Sequence, residues 1–326
     1  MKKLVLIYRK RVEGANSIEE LFQALAIEFR KKFEVIEYQL GNKPTLLQDL
    51  KALRHFDADI YHITGAVHYV ALGLPKEKTV LTIHDINYFR DVLKGLKKQI
   101  YKYIYLTLPI SRAKYITTIS AETAETLVAQ KLMADYPLVI SNCYNSGLFK
   151  YREFNVHRPN ILQIGTKGNK NLPRLAEALS GFNCNLTIIG KLTEPQKDCL
   201  EKFKINYINK YNLSLNEVYQ SYLDADILAF VSLSEGFGVP IIEAQAVGRV
   251  VITSDLSPMK YTAGNGALLV DPKSVTQIRQ AIIKVSSDPK LRDSLIEAGS
   301  KNVLNYTPEA VADKYINIYN KILTRD

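Results

Sequence analysis

Short β-branched and aliphatic runs alternate with longer amphipathic segments along this chain, beginning with KLVLIY at residues 3–8. Runs of four to eight such residues bounded by turn residues read as buried strands, and the segments between them as covering helices. The pattern predicts strands at Lys3–Tyr8, Phe33–Leu40, Ile60–Thr64, Val80–Ile83, Tyr115–Ser120 and Leu138–Asn142. A second series follows at Ile161–Gly165, Leu186–Gly190, Asp226–Val231, Val250–Thr253 and Ala267–Val270. Ser17 with Glu20 three residues later has the spacing of a capping box, so a helix should start there. The last segment, TPEAVADKYINIYNKIL, places a Thr and a Pro at a helix start and an apolar stripe at Val311, Tyr315, Ile318 and Ile322.

Between the two series, from Gly147 to Asn160, the periodicity fails and Gly, Asn and Pro accumulate, as in a linker. At 326 residues the chain is also longer than one core comfortably serves. We therefore expect an α/β protein of two Rossmann-like, doubly wound domains, residues 1–153 and 154–305, with a C-terminal helix at 306–326. Ligands of such sheets bind beyond the carboxyl ends of the strands, so two domains facing each other would form a cleft there.

Bulk composition narrows the function classes. No run of eighteen apolar residues occurs, and MKKLVLIYRKR returns to basic residues too early for a signal peptide, so the chain reads as cytoplasmic. Cys143, Cys184 and Cys199 lie far apart without a C-x-x-C, and no histidine has a partner at metal-ligand spacing, so neither a disulfide framework nor a zinc site is expected. The net charge of +10 points to an acidic partner: nucleic acid, an anionic membrane or a phosphorylated substrate. Nucleic acid has only the charge in its favour, because no recognised reading motif is present.

Two loops after predicted strands carry candidate chemistry. In ILQIGTKGNKNLPRL, Gly165 and Gly168 permit close backbone approach, Lys167 and Lys170 add charge, Asn171 can cap the next helix and Pro173 sits in its first turn. Such a loop suits a phosphate, although glycines with nearby lysines also occur in solvated turns. In DADILAFVSLSEGFGVPIIEAQAVG, Glu235 lies in a tight Gly-flanked turn and Glu243 in the first turn of a short helix closed by Gly248. Glu243 could simply complement the helix dipole. Glu235 has no such packing or dipole reason.

Glu235 and Glu243 have E-x7-E spacing, and EGFGVPIIEAQAVG resembles the donor-site motif of retaining GT-B glycosyltransferases of family 4. IGTKGNKNLPRLAEAL, TIHDINYF, ITTISAETAETL and GALLVDP resemble further segments of that family in the same order, so the likeness spans most of the chain. The resemblance implies a GT-B fold, with the C-terminal helix packing back on the N-terminal domain. It also implies metal-independent transfer of a sugar, with retention, from a UDP- or GDP-linked donor to a hydroxyl of a glycan or lipid-linked acceptor in cell-surface glycan assembly. No cofactor is implied, the nucleotide-sugar being a substrate.

The same likeness assigns roles. Lys170 would contact the donor diphosphate, with Gly165, Thr166 and Gly190 around it; Thr166 stands where many members have an Arg, and Lys167 could substitute for that cation although its place in the loop is not the family's usual one. Glu235 and the Gly236-Phe237-Gly238 backbone would hold the sugar hydroxyls, and Glu243 the ribose. His84 would lie near the reaction centre, so His84, Glu235 and Lys170 form the implied catalytic set. On the acceptor side, Gly65 and His68 could shape the pocket, His68 having the alternative of a structural residue like His62 and Asp85 that of capping the following segment; Gly14 joins them only because its loop lies at the same sheet edge, its sequence being less typical of the family. The DAD triplets at Asp57 and Asp224 precede apolar strands and read as loop residues rather than a metal motif.

Two further readings stay open. SPMKYTAG lacks the family's usual Pro-Glu pair, which keeps a catalytically silent sugar-nucleotide-binding protein as an alternative. In DVLKGLKKQIYKYIYLTLPISRAKY, Leu93, Leu96, Ile100 and Ile104 form one helical stripe beside Lys94, Lys97, Lys98 and Lys102. That helix would either lie on an anionic membrane, as a peripheral contact on its inner face, or be a core helix with a solvated basic face.

Overall fold

A computed structural model describes residues 1–10, 17–41, 46–144 and 152–324. It divides into two compact units, one of Met1–Cys143 with Pro308–Asp326, the other of Tyr144–Thr307. Gly14 and the first part of the expected linker, residues 145–151, lie outside the described residues. From Arg152 onward that stretch is pinned to the second unit: the Asp226 carboxylate accepts the Asn155 and Asn160 N–H groups, and the Arg292 guanidinium sits 4.2 Å from the Phe154 ring centre.

Unit 1 is built on a parallel sheet of β1 (Lys3–Tyr8), β2 (Glu34–Gln39), β3 (Ile60–Ile63), β4 (Thr79–Ile83), β5 (Tyr115–Thr118) and β6 (Leu138–Val139), in the order β2-β1-β3-β4-β5-β6. The central strands are buried on both faces, which is why they read as continuous apolar runs. The Pro308–Leu323 helix packs in this unit with the Ser17–Phe29 helix, burying Val311, Tyr315, Ile316, Ile318, Tyr319 and Ile322 against Phe22, Leu25 and Phe29. It also carries a polar tie. His62, fully buried on β3, bonds Tyr319 Oη through Nδ1 (2.6 Å) and Thr82 Oγ1 through Nε2 (2.7 Å). Burial pushes its imidazole down to about 3, so it is neutral at ordinary pH and belongs to the core.

Unit 2 has β7 (Asn160–Ile164), β8 (Asn185–Ile189), β9 (Tyr207–Lys210), β10 (Ile227–Phe230), β11 (Val250–Ser254) and β12 (Leu268–Val270), ordered β12-β11-β10-β7-β8-β9, all parallel. This is the Rossmann order, with the direction of winding reversing between β7 and β10. The ends of the segment meet: the Tyr144 N–H donates to the Tyr306 carbonyl at 3.1 Å.

Two sequence expectations are corrected. β9 has no predicted counterpart. The basic stripe is not a core face: it is a short helix, Gly95–Tyr101, running into a π-helical stretch, Lys102–Thr107. The wider turn shifts the phase, so Leu106 is buried while Leu96, Ile100 and Ile104 remain 76%, 49% and 41% exposed.

Candidate active site

Reversal of winding opens a crevice beyond the carboxyl ends of β7 and β10, and the loops leaving those strands carry the candidate donor residues of unit 2. After β7 the chain turns at Gly165, whose φ of +89° disfavours any side chain. A Cβ there would stand 2.7 Å from Cε of Lys170, so the bare glycine lets the lysine fold back over the loop. Gly190, at the end of β8, does the same for Thr166, whose Cγ2 would lie 2.9 Å from an added Cβ. Thr166 is further fixed by donating to the Lys191 carbonyl, while its own carbonyl accepts from Gln196 Nε2 at 2.6 Å. Lys167 is exposed on the outside of the turn.

Residues Gly168–Lys170 form one 3-10 turn, and Asn171 follows in the left-handed region at φ 60°. The side chain of Asn171 does not cap the Leu172–Leu179 helix as expected. It crosses instead to the Val231 and Pro272 carbonyls at 3.0 and 2.7 Å, tying the β7 loop to the chain leaving β10. Asn169 adds a second tie: its carbonyl accepts the Leu233 N–H, and its Nδ2 donates to the Ser234 carbonyl and to Glu235 Oε1.

These ties bring together two side chains 65 residues apart. Lys170 Nζ lies 2.7 Å from Glu235 Oε1 and 4.5 Å from the Phe230 ring centre. Both side chains are mostly buried, 16% and 14% exposed, so their attraction is less screened than that of a surface pair. The unit thus holds a cation where helix and loop N–H groups favour a diphosphate, beside a carboxylate able to accept hydroxyl hydrogens.

Gly236-Phe237-Gly238 follow Glu235, and Gly238 takes φ +99° at the start of the Val239–Ala246 helix. The Phe237 ring is buried edge-on to Tyr306, and its carbonyl accepts from Thr262 Oγ1 at 2.7 Å, so only its backbone could serve a ligand. The helix starts at Val239 and its first turn holds no acid, so Glu243 lies one turn further on than expected; it is half-buried, and its Oε2 accepts a hydrogen bond from the Tyr222 hydroxyl at 2.5 Å. Both DAD triplets have structural work: Asp59 accepts the Lys3 N–H and pairs with Lys2, and Asp226 pairs with Arg152.

In unit 1, His84 follows β4 and is buried; its Nε2–H donates to the Thr64 carbonyl at 2.8 Å. Burial holds the imidazole below its ordinary range, so Nδ1 is left as a hydrogen-bond acceptor. Asp85 is exposed and accepts the Asn87 N–H, capping the turn before Tyr88–Val92. Gly65 follows β3 and packs closely, a Cβ there reaching 3.2 Å from Ile18 Cγ2. His68 is buried, pushed down to about 4 by burial, and donates through Nδ1 to the Tyr105 carbonyl. Sequence reasoning passed over Asn169, Gln196 and Tyr222, whose hydrogen bonds position the loops; polar or aromatic residues at these places carry no local signal of their distant partners.

Residues 150–302 match the family described as "Glycosyl transferases group 1". Over 220 residues, 64% of this chain, there is 26% identity to the O-antigen chain mannosyltransferase RfbU of Salmonella typhimurium. Over 250 residues, 73% of the chain, there is 22% identity to the N,N'-diacetylbacillosaminyl-diphospho-undecaprenol alpha-1,3-N-acetylgalactosaminyltransferase of Campylobacter jejuni. The matched stretches span 61% and 66% of those relatives' own lengths. Among solved structures, Anabaena Alr3699/HepE in complex with UDP and glucose superposes with a TM-score of 0.77 at 12% identity, covering 98% of this chain and 100% of that one. The chain thus has the two-unit GT-B fold of these structures, and its residues 150–302 are similar to the glycosyl transferases group 1 family.

Proposed function

We propose that this protein transfers a sugar from a UDP- or GDP-linked donor to a hydroxyl acceptor in the assembly of a cell-surface glycan, without a metal and with retention of configuration. The carrying observation is the Lys170–Glu235 pair at the Rossmann switch point, a cation and a carboxylate held side by side at 2.7 Å. Lys170 and the adjacent N–H groups balance the charge of the departing diphosphate, the role otherwise taken by a metal ion. Glu235 accepts hydrogen bonds from sugar hydroxyls and Glu243 from the ribose. Neutral His84, with Nε2–H committed to Thr64, offers Nδ1 as an acceptor for a hydroxyl near the reaction centre. The acceptor attacks on the face from which the diphosphate leaves, and a leaving phosphate oxygen takes the acceptor's proton. UDP in the Anabaena structure and O-antigen chain synthesis in the Salmonella relative support the donor and product classes.

A panel of nucleoside diphosphates and their sugars, scored by thermal shift and by hydrolysis, tests this. One base is expected to raise the melting temperature at millimolar ligand and its sugar conjugate to turn over slowly. Stabilisation without turnover, with or without acceptors, would instead make the protein a silent binder; no stabilisation by any member removes the reading altogether.

The acceptor in this reading is lipid-linked, as the diphospho-undecaprenol in the Campylobacter relative's name suggests, and unit 1 docks peripherally on anionic lipid. Among the described residues no helix is long and apolar enough to cross a membrane. Exposed Leu96, Ile100, Tyr103 and Ile104 accompany exposed Lys94 and Lys97, with no Asp or Glu between Asp91 and Glu122. Lys98 and Lys102 contribute less, because their amines already donate to the Arg90 and Gln130 carbonyls. In flotation assays the protein should rise with vesicles rich in phosphatidylglycerol and not with phosphatidylcholine alone, and Leu96→Glu with Ile100→Glu should leave it in the bottom fraction. Equal recovery with both vesicle types would remove the electrostatic part of this contact.

A further inference from the structure

We infer that Tyr222 is a positioning residue for the donor nucleotide: its buried hydroxyl orients the Glu243 carboxylate toward the ribose and thereby sets the preference for ribonucleotides over deoxyribonucleotides. The inference rests on the assignment of Glu243 to the ribose made above.

Three observations carry it. Tyr222 is 1% exposed and lies at the end of the Leu215–Asp224 helix, its ring in the apolar cluster with Leu228, Phe230, Ile241 and Met259. Its backbone is held separately: the buried Arg249 guanidinium donates to the Tyr222 carbonyl at 3.1 Å and to the Leu223 carbonyl at 3.3 Å. The hydroxyl donates to Glu243 Oε2 at 2.5 Å, a short charge-assisted bond, from a position that ring packing and the Arg249 clamp leave little freedom. A phenol this deeply buried stays protonated, with burial the main cause and the neighbouring carboxylate adding to it, so Tyr222 is the donor and Glu243 the acceptor.

A buried tyrosine hydroxyl needs some partner, and a backbone carbonyl would satisfy it. Here the partner is the flexible, half-buried side chain of the helix that follows the Glu235 turn. Glutamate has several rotatable bonds, and a binding site built on it loses affinity to their ordering unless the rotamer is fixed beforehand. A carboxylate carries about four acceptor sites, so anchoring one oxygen fixes the rotamer without exhausting its capacity to accept from a ribose hydroxyl.

The opposite reading, in which Glu243 merely satisfies Tyr222, makes a different prediction for a ribose comparison. Affinities of a nucleoside diphosphate and its 2′,3′-dideoxy analogue would be measured calorimetrically for the wild type, Tyr222→Phe, Tyr222→Met and Glu243→Ala, with the base taken from the panel above. The wild type should favour the ribo form by roughly tenfold or more, as expected for hydrogen bonds to a charged acceptor. Tyr222→Phe should reduce that ratio to within about threefold by raising the ribo dissociation constant, with the dideoxy affinity little changed and, in transfer assays, KM for the donor rising more than kcat falls. Glu243→Ala should bring the ratio close to one. Tyr222→Met, a second variant without the hydroxyl, serves if the phenylalanine variant folds poorly. A ratio preserved in a folded hydroxyl-less variant overturns the role of Tyr222. A wild-type ratio near one overturns the ribose assignment of Glu243 itself, so the two failures are distinguishable.

Discussion

Glu235→Ala is expected to lower sugar transfer by about two to three orders of magnitude or more while nucleoside diphosphate still binds. In the structure Glu235 Oε1 accepts from Lys170 Nζ at 2.7 Å and from Asn169 Nδ2 at 3.3 Å. Removing the carboxylate takes away the acceptor for the sugar hydroxyls and relieves Lys170 of a competing anion at the same time. The diphosphate should therefore bind as tightly as before, or up to about tenfold more tightly, since a lysine without its carboxylate partner gains most from a new anion. Lys170→Ala should behave differently, losing nucleoside diphosphate affinity and turnover together, because the cation is common to both. Calorimetric binding and single-turnover transfer on the two variants separate these outcomes. If Glu235→Ala loses diphosphate binding along with turnover, the residue supports the nucleotide or the loop rather than the sugar, and if it keeps turnover, the assignment to the sugar is wrong.

The second large effect concerns stability. Deletion of residues 308–326 should leave unit 1 unfolded while unit 2 retains a cooperative melt. The Pro308–Leu323 helix buries Val311, Ala312, Tyr315, Ile316, Ile318, Tyr319 and Ile322. At about 1.5–3 kcal/mol for each large apolar side chain, the loss reaches on the order of 10 kcal/mol, comparable with the whole stability of a typical domain. The deletion also takes Tyr319 from His62 and strips away the tyrosine rings that cover this neutral imidazole in the sheet. Circular dichroism melts combined with limited proteolysis would report this as digestion of residues 1–143 around a surviving fragment near 144–307. An unchanged melting temperature and an undigested N-terminal segment would show that the helix is dispensable.

The sequence was most legible where local chemistry and tertiary role coincide. β1 runs over Lys3–Tyr8 as predicted, because a strand buried on nearly its whole length has no polar positions to blur its ends. β9, Tyr207–Lys210, escaped because it is a half-exposed edge strand containing Asn209, whose side chain bonds the Ile188 and Gly190 carbonyls of its neighbour. The basic stripe was readable as amphipathic, but not which of its two readings held, since a π turn changes phase without a residue type that announces it. At the site, Gly165 and Glu235 stood out because a glycine at a strand end and a carboxylate among glycines are locally odd. Asn171 was misread as a cap because its residue type suits one, whereas its partners, Val231 and Pro272, belong to other turns of the fold. Tyr222 was hidden for the same reason: on a helix it looks like any apolar stripe residue, and its hydroxyl acquires meaning only from Glu243, on a different helix.

The hydrogen bond from the Tyr144 N–H to the Tyr306 carbonyl has a consequence for how such proteins diversify. Residues 144–307 are one continuous stretch that enters and leaves at the same point, with unit 1 assembled from the chain on either side of it. A segment closed at its base in this way is a cassette, and insertion or exchange is tolerated best where the two junctions are adjacent. In the function proposed above, recombination at Tyr144 and Tyr306 would exchange unit 2 for that of a relative and leave the helix–sheet core of unit 1 intact, so donor and acceptor preferences would change independently along a lineage.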